Sequence, residues 1–249
     1  EFLPKGKACV SVFDHGFLYG DGVFEGIRAY NGSVFKLKEH VDRMYASAKT
    51  IMLKVPMSKD EMSKAVVETM RRNSLKDAYI RLIVTRGVGD LGLDPRKCPK
   101  ASVIIIAGTI TLVSKEAMEK GIKAMITWIK RDPIDGTSHE VKSLNYMNSI
   151  LAKLEVNNAN ADEAIFLNPQ GYVCEGTAEN VFAVKDGKLL TPPTYTGALP
   201  GITQIAVAEI AAKMGIRVEC RPITPHELFN SDEVFFTGTA AEIIPVSVI

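Results

Sequence analysis

Two runs rich in β-branched residues, Tyr79 to Arg86 and Ala101 to Ile110, flank a loop of Gly, Asp and Pro, and each reads as a strand. Upstream of them, Leu37, Val41, Met44, Ala48 and Ile51 keep helical spacing. Ser58 with Glu61 forms a capping-box pattern that starts a second helix, running to Asn73. Helices and strands in this arrangement predict an α+β layer, with helices packed on a sheet. Ala8 to Val12, Val23 to Tyr30 and Ser33 to Lys36 read as further strands, the last two joined by a tight turn at Asn31-Gly32.

The second half alternates again. A Trp128-containing strand, a helix from Ser143 to Asn158, strands at Glu163 to Asn168 and Asn180 to Lys185, and a helix starting near Pro200 and closed by Gly215 imply a second sheet with helices. Thr224, Pro225 and Glu227 supply an N-cap, a first-turn proline and a capping-box acid before a strand at Glu233 to Thr237. The chain therefore divides into a small α+β domain at 1–110, a connection at 111–117 and a large domain at 118–249. It begins at Glu1 without a methionine and stops at Ile249 after a strand-like stretch, which reads as a piece of a longer protein.

Composition excludes several classes of function. With 46% hydrophobic and 24% charged residues the chain is able to bury real cores. A formal charge of +1 gives no field that would gather nucleic acid or an anionic membrane. The longest apolar run, Val103 to Val113, is too short to cross a bilayer, which needs about 20 residues. The four cysteines show no paired metal-ligand or redox spacing, which suits a reducing cytoplasm and supports no metal.

Several constellations carry candidate chemistry. Leu199-Pro200-Gly201-Ile202-Thr203 feeds a glycine turn into a helix whose free amides and dipole suit a phosphate, unless the residues merely punctuate an αβ connection. Gly238-Thr239-Ala240-Ala241 is a second amide-rich turn, open to close approach of a ligand or simply an ordinary tight turn. Lys142 precedes a helix, a place where most lysines are only solvated. Together with an acid such as Glu175 it suits a Schiff-base cofactor, which needs a lysine and a carboxylate for its ring nitrogen. Glu179 competes for that role, and either glutamate has the alternative of accepting turn hydrogen bonds. Period two puts Tyr79, Arg81, Ile83 and Thr85 on one face, where Tyr79 and Arg81 read a carboxylate or Arg81 faces solvent. Arg43 lies one turn after Glu39, where a surface ion pair is the alternative, and His40 is not read as a ligand.

Taken in order, Gly22-Val23-Phe24-Glu25-Gly26-Ile27-Arg28, Glu39-His40 with Arg43, Tyr79-Ile80-Arg81, Lys142 with Asn145-Tyr146, Glu175-Gly176 with Glu179-Asn180, and the two amide-rich turns resemble the class IV aminotransferases. The resemblance is closest to the branched-chain enzymes and covers essentially the whole chain. It implies a two-domain α+β fold of fold type IV, like D-amino-acid aminotransferase, with a small α/β domain and a larger β-barrel-like domain with helices. The large domain would bind pyridoxal 5'-phosphate. By this resemblance Lys142 is the catalytic residue, bonded to the cofactor and acting as general acid and base, and Glu175 partners the pyridine nitrogen. Arg43, Ile202, Thr203 and Thr239 would hold the phosphate, Tyr146 the phenolic oxygen, and Leu199 would pack on the ring.

For the substrate, the resemblance makes Tyr19, Phe24 and Tyr79 walls of an aliphatic pocket and gives the α-carboxylate to the amides of Thr239 and Ala240. Arg81 would meet the distal carboxylate of 2-oxoglutarate or glutamate. The implied reaction moves the amino group of leucine, isoleucine or valine to 2-oxoglutarate. The family works as dimers or larger homo-oligomers and carries a further carboxy-terminal segment, expected here beyond Ile249. One departure is the connection at Thr109 to Ser114, where the best-known relatives place aromatic residues and this chain has Ile110, Leu112 and Val113. D-amino-acid aminotransferases and aminodeoxychorismate lyases share the lysine, the acid and the phosphate cup. Tyr79-Ile80-Arg81 and the Phe24 to Arg28 segment favour the branched-chain enzyme.

Overall fold

The computed structural model describes residues 1–110 and 114–249, so Thr111, Leu112 and Val113 of the expected connection lie outside the described residues. The chain divides into two units, Glu1–Ile110 with Val141–Asn145, and Thr111–Glu140 with Tyr146–Ile249. Val141–Asn145, placed with the large domain on sequence grounds, groups with the first unit.

The first unit contains α1 (His15–Tyr19), β1 (Gly22–Tyr30), β2 (Ser33–Val34), α2 (Leu37–Thr50), α3 (Lys59–Arg72), β3 (Ala78–Thr85) and β4 (Ser102–Gly108). Its antiparallel sheet runs β2-β1-β3-β4. Alternation sends Val23, Ile27, Ile80 and Leu82 to one face, where they pack with Met44 of α2 and Met62 of α3. Phe24 lies opposite Ile83, Gly26 opposite Arg81 and Arg28 opposite Tyr79, which puts these residues on the other face. The start of α3 is the expected capping box, with Ser58 Oγ accepting from the Glu61 amide at 3.2 Å and Glu61 accepting from the Ser58 amide at 2.8 Å.

The second unit contains α4 (Lys115–Lys120), β5 (Ile122–Ile126), α5 (Met147–Asn158), β6 (Glu163–Ile165), β7 (Asn180–Lys185), β8 (Lys188–Thr191), α6 (Ile202–Lys213), β9 (Val218–Cys220), α7 (Pro225–Phe229), β10 (Glu233–Gly238) and β11 (Glu242–Val248). A mixed sheet runs β6-β5-β11-β10-β7-β8-β9, with β5 parallel to β6 and β11 and β8 parallel to β9. Its core gathers Ile165, Val181, Leu190, Ile223, Phe236 and Ile244. The fold class is α+β, as the sequence predicts.

Three local expectations fail for tertiary reasons. Ala8 to Val12 is not a strand, because its alternating residues are exposed and have no neighbouring strand to pair with. β5 ends before Trp128, which is 86% exposed and whose amide donates to the Glu155 carboxylate at 3.0 Å instead of joining a ladder. The helix expected from Ser143 begins at Met147, because Ser143 forms an antiparallel bridge with Val23 of β1.

One charged side chain is built into the first core. Glu25, fully buried on the helix-facing side of β1, accepts from Arg43 Nε at 2.7 Å and Nη2 at 2.8 Å, and its Oε2 lies 2.7 Å from His40 Nδ1. Burial alone would raise its pKa, but Arg43 and then His40 outweigh burial and hold it at about 2, below the ordinary 4.5. The folded-state pKa is depressed, so the stabilisation is complete above 4.5 and is lost as pH falls from there towards about 2. Chemical denaturation over that window should show a steeper acid-dependent loss of stability in the wild type than in Glu25→Gln. Equal slopes would contradict this account of Glu25.

Candidate active site

Lys142 is carried by a segment that runs along β1. The Phe24 amide donates to the Lys142 carbonyl at 3.0 Å and the Leu144 amide to the Gly22 carbonyl at 2.9 Å. The Lys142 amide in turn donates to Ser47 Oγ of α2 at 3.2 Å. This backbone anchoring fixes the origin of a long, flexible side chain. The Lys142 Nζ lies 4.7 Å from the centroid of the Phe24 ring, and the Arg81 guanidinium lies 4.5 Å from the same centroid and 5.4 Å from that of Tyr79. Both distances to Phe24 fall within cation–π range. Gly26 makes this possible, because a Cβ at that position would collide with the Tyr79 hydroxyl.

The first unit thus brings Lys142, Phe24, Tyr79 and Arg81 together. Tyr19 ends α1, with its hydroxyl donated to the Leu91 carbonyl at 2.5 Å and its ring edge-on to His15. Arg43 is on the helix side of the sheet, forked onto Glu25, and does not make the expected ion pair with Glu39. Glu39 pairs with Lys36 at 3.4 Å. A buried carboxylate without water competes for a guanidinium more effectively than an exposed one.

In the second unit Glu175 is buried, and both of its oxygens are held by fixed donors. Oε1 accepts from Arg131 Nη2 at 2.6 Å and Oε2 from the Leu199 amide at 2.8 Å. Arg131 is itself 2% exposed, lies 4.0 Å over the Phe166 ring, and donates to Asn148 Oδ1, Ser149 Oγ and the Gly176 carbonyl. Burial, then the neighbouring Glu175 carboxylate, push the Cys174 thiol up to about 12, so that thiol stays protonated. Glu179 accepts from the Ala178 amide at 3.1 Å.

Leu199 belongs to the same second-unit cluster through its amide, and its carbonyl accepts from Asn180 Nδ2 at 2.8 Å. Ile202 and Thr203 open α6, whose N-cap is Gly201 with no side-chain cap. First-turn amides of a helix have no intrahelical acceptor, so this end offers donors to an anion. Gly201 is required here, since a Cβ would collide with the Asn180 side-chain oxygen. Thr239 and Ala240 form the turn between β10 and β11, after Thr237, whose buried hydroxyl has no hydrogen-bond partner among the described residues. Tyr146 is the N-cap residue of α5.

Sequence reasoning missed Glu25 and Arg131. Glu25 carried a usable signal, an acid at a core-facing position between Val23 and Ile27 that requires a buried partner. Arg131 carried none, because its partner is 44 residues away.

The pattern of the family described as amino-transferase class IV matches residues 22–249. A Methanocaldococcus jannaschii protein, whose name assigns branched-chain-amino-acid aminotransferase provisionally, is 54% identical over 99% of this chain and 84% of its own length. The branched-chain-amino-acid aminotransferase of Escherichia coli strain K12 is 39% identical over 99% of this chain and 82% of its own length. Among solved structures, the Escherichia coli branched-chain amino acid aminotransferase superposes with a TM-score of 0.97 at 38% identity, covering 100% of this chain and 84% of that one. The T.th. branched-chain amino acid aminotransferase complexed with N-(5'-phosphopyridoxyl)-L-glutamate gives a TM-score of 0.94 at 39% identity, covering 100% of this chain and 83% of that one. A match across nearly the whole chain, in sequence and in fold together, makes this protein a member of the class IV aminotransferases.

Proposed function

We propose that the chain transfers the amino group of leucine, isoleucine or valine to 2-oxoglutarate, using pyridoxal 5'-phosphate bonded to Lys142. The observation that supports this reading most is the Phe24 ring, which has the amine of Lys142 and the guanidinium of Arg81 each within cation–π distance. A reactive amine beside an aromatic wall, with one cation on that wall, suits both an aliphatic side chain and a dicarboxylate.

Each unit carries groups of a kind that this cofactor takes. Lys142 supplies the amine, Glu175 a carboxylate held on both oxygens, and α6 an uncapped N-terminus beside a glycine cradle. We assign Glu175 to the ring nitrogen, Leu199 to the ring face and Tyr146 to the phenolic oxygen. Arg43, Ile202, Thr203 and Thr239 are assigned to the phosphate. When bound, the cofactor supplies an electron sink that makes the substrate α-proton removable. Once the substrate amine has displaced it from the cofactor, Lys142 Nζ would take that proton from the substrate α-carbon and deliver it to the cofactor carbon that bears the transferred nitrogen, the work of a positioned general base and acid. Thr239 and Ala240 orient the α-carboxylate through their amides, and Phe24, Tyr79 and Tyr19 exclude water around the side chain. Arg81 binds the distal carboxylate of the acceptor.

We further infer a homo-oligomer working in the cytoplasm. Met147, Ile150, Leu151 and Leu154 are exposed along α5, an apolar face of the kind that subunit contacts bury. Among the described residues no helix is long and apolar enough to cross a membrane.

A cofactor absorbance band that shifts on adding L-leucine or L-glutamate and returns with 2-oxoglutarate supports this reading. A response to D-alanine alone contradicts it. Arg81→Ala should raise KM for 2-oxoglutarate by about tenfold or more while leaving that for leucine within about twofold. Equal effects on both substrates would remove Arg81 from its assigned role. Arg131→Met strands the buried Glu175 carboxylate and should lower the unfolding free energy by about 3 kcal/mol in chemical denaturation. Unchanged stability would contradict the anchoring described for Glu175.

A further inference from the structure

Glu25 occupies a place where an apolar residue would pack as well. Val23 and Ile27, its neighbours on the same face of β1, are fully buried core residues. Replacing a buried ion pair by apolar side chains of similar volume is often neutral or stabilising, so packing alone gives no reason for a carboxylate here. What the carboxylate does provide is geometry. Its two oxygens take Nε and Nη2 of Arg43 at 2.7 and 2.8 Å, a two-bonded fork that fixes both the plane and the direction of the guanidinium.

His40, three residues earlier on α2, reaches the same carboxylate with Nδ1 at 2.7 Å. The His40 Nε2 is buried with no hydrogen-bond partner among the described residues, so the polar contact of this imidazole is directed at Glu25. His40 and Arg43 stand one turn apart, which aims both side chains at one point on β1. The arrangement is a buried clamp whose outer member, Arg43, is the one member with solvent exposure, at 11% of its side chain.

We propose that Glu25 is a positioning residue for Arg43, holding its guanidinium ready for a phosphate monoester, with His40 steadying the carboxylate. This rests on the reading that Arg43 takes the cofactor phosphate. A guanidinium already locked in one rotamer loses little further conformational freedom on binding an anion. The carboxylate also offsets part of the Arg43 charge, which acts against phosphate affinity. The proposal is that the gain from fixing the guanidinium exceeds that loss.

The readout is the preference for pyridoxal 5'-phosphate over pyridoxal, which lacks the phosphate. Wild type, Glu25→Gln, Arg43→Met and the double variant, each freed of cofactor by exchange, are titrated with both compounds and followed by absorbance. Glu25→Gln should reduce the ratio of affinities by about tenfold while pyridoxal binding stays within about twofold. In the Arg43→Met background the same substitution should change the ratio little, because the two residues act through one contact. An equal loss for both compounds would mean a purely structural role and overturn the proposal. So would an unchanged or increased ratio in Glu25→Gln when Arg43→Met lowers it. If Arg43→Met leaves the ratio unchanged, the phosphate role of Arg43 itself is wrong. Should Glu25→Gln not fold, Glu25→Asp keeps the charge but withdraws the carboxylate by one methylene. It should still lower the ratio several-fold, and an unchanged ratio would overturn the proposal.

Discussion

The hydrogen bonds between β1 and the segment around Lys142 are the constraint on which the grouping of Lys142, Phe24 and Arg81 in the first unit depends. Phe24 and Lys142 are distant in sequence, yet the Phe24 amide donates directly to the Lys142 carbonyl. That bond sets the lysine backbone beside the aromatic ring, and the Nζ to ring distance of 4.7 Å follows from it. Without it a lysine side chain, with its four-carbon stem and its rotamer entropy, would have no fixed relation to Phe24 or Arg81. On the opposite face of β1, Glu25 takes the fork of Arg43. One strand thus displays Phe24, beside the Lys142 amine and the Arg81 guanidinium, at an even position and a buried electrostatic clamp at an odd one.

The second unit solves a different problem, that of holding a carboxylate in a buried place without losing it to a random partner. Glu175 is fixed on one oxygen by Arg131 and on the other by the Leu199 amide, so its orientation is set before any ligand arrives. Arg131 is in turn held by four acceptors and an aromatic face. Such second-layer contacts give a site its reproducible geometry, and single-residue motifs do not reveal them.

Elements specified by local chemistry were legible in the sequence. The Ser58–Glu61 capping box, the Thr224–Pro225 start of α7 and the strands β3 and β7 depend on residues close in sequence and are found where expected, within a residue of their predicted ends or starts. Elements decided by tertiary pairing were not. The residues after Lys142 have helix-like spacing, but the open edge of β1 pulls them into a bridge, and Ala8 to Val12 alternates without a strand to pair with. The order of motifs gave the family, while the anchoring of Glu175 by Arg131 and of Arg43 by Glu25 required the fold. For Glu25 the inward-facing strand position calls for a cation, and the fold decides that Arg43 of α2 supplies it.

The bond proposed between Lys142 and the cofactor is what the proposed function stands on. It is tested most directly by reducing the purified holoenzyme with borohydride, which fixes a lysine-bound cofactor irreversibly, and mapping the modified peptide by mass spectrometry. The expected result is a single phosphopyridoxyl adduct on the peptide containing Lys142, lost in Lys142→Ala. An adduct on another lysine, or none on a protein with its cofactor band intact, would contradict it.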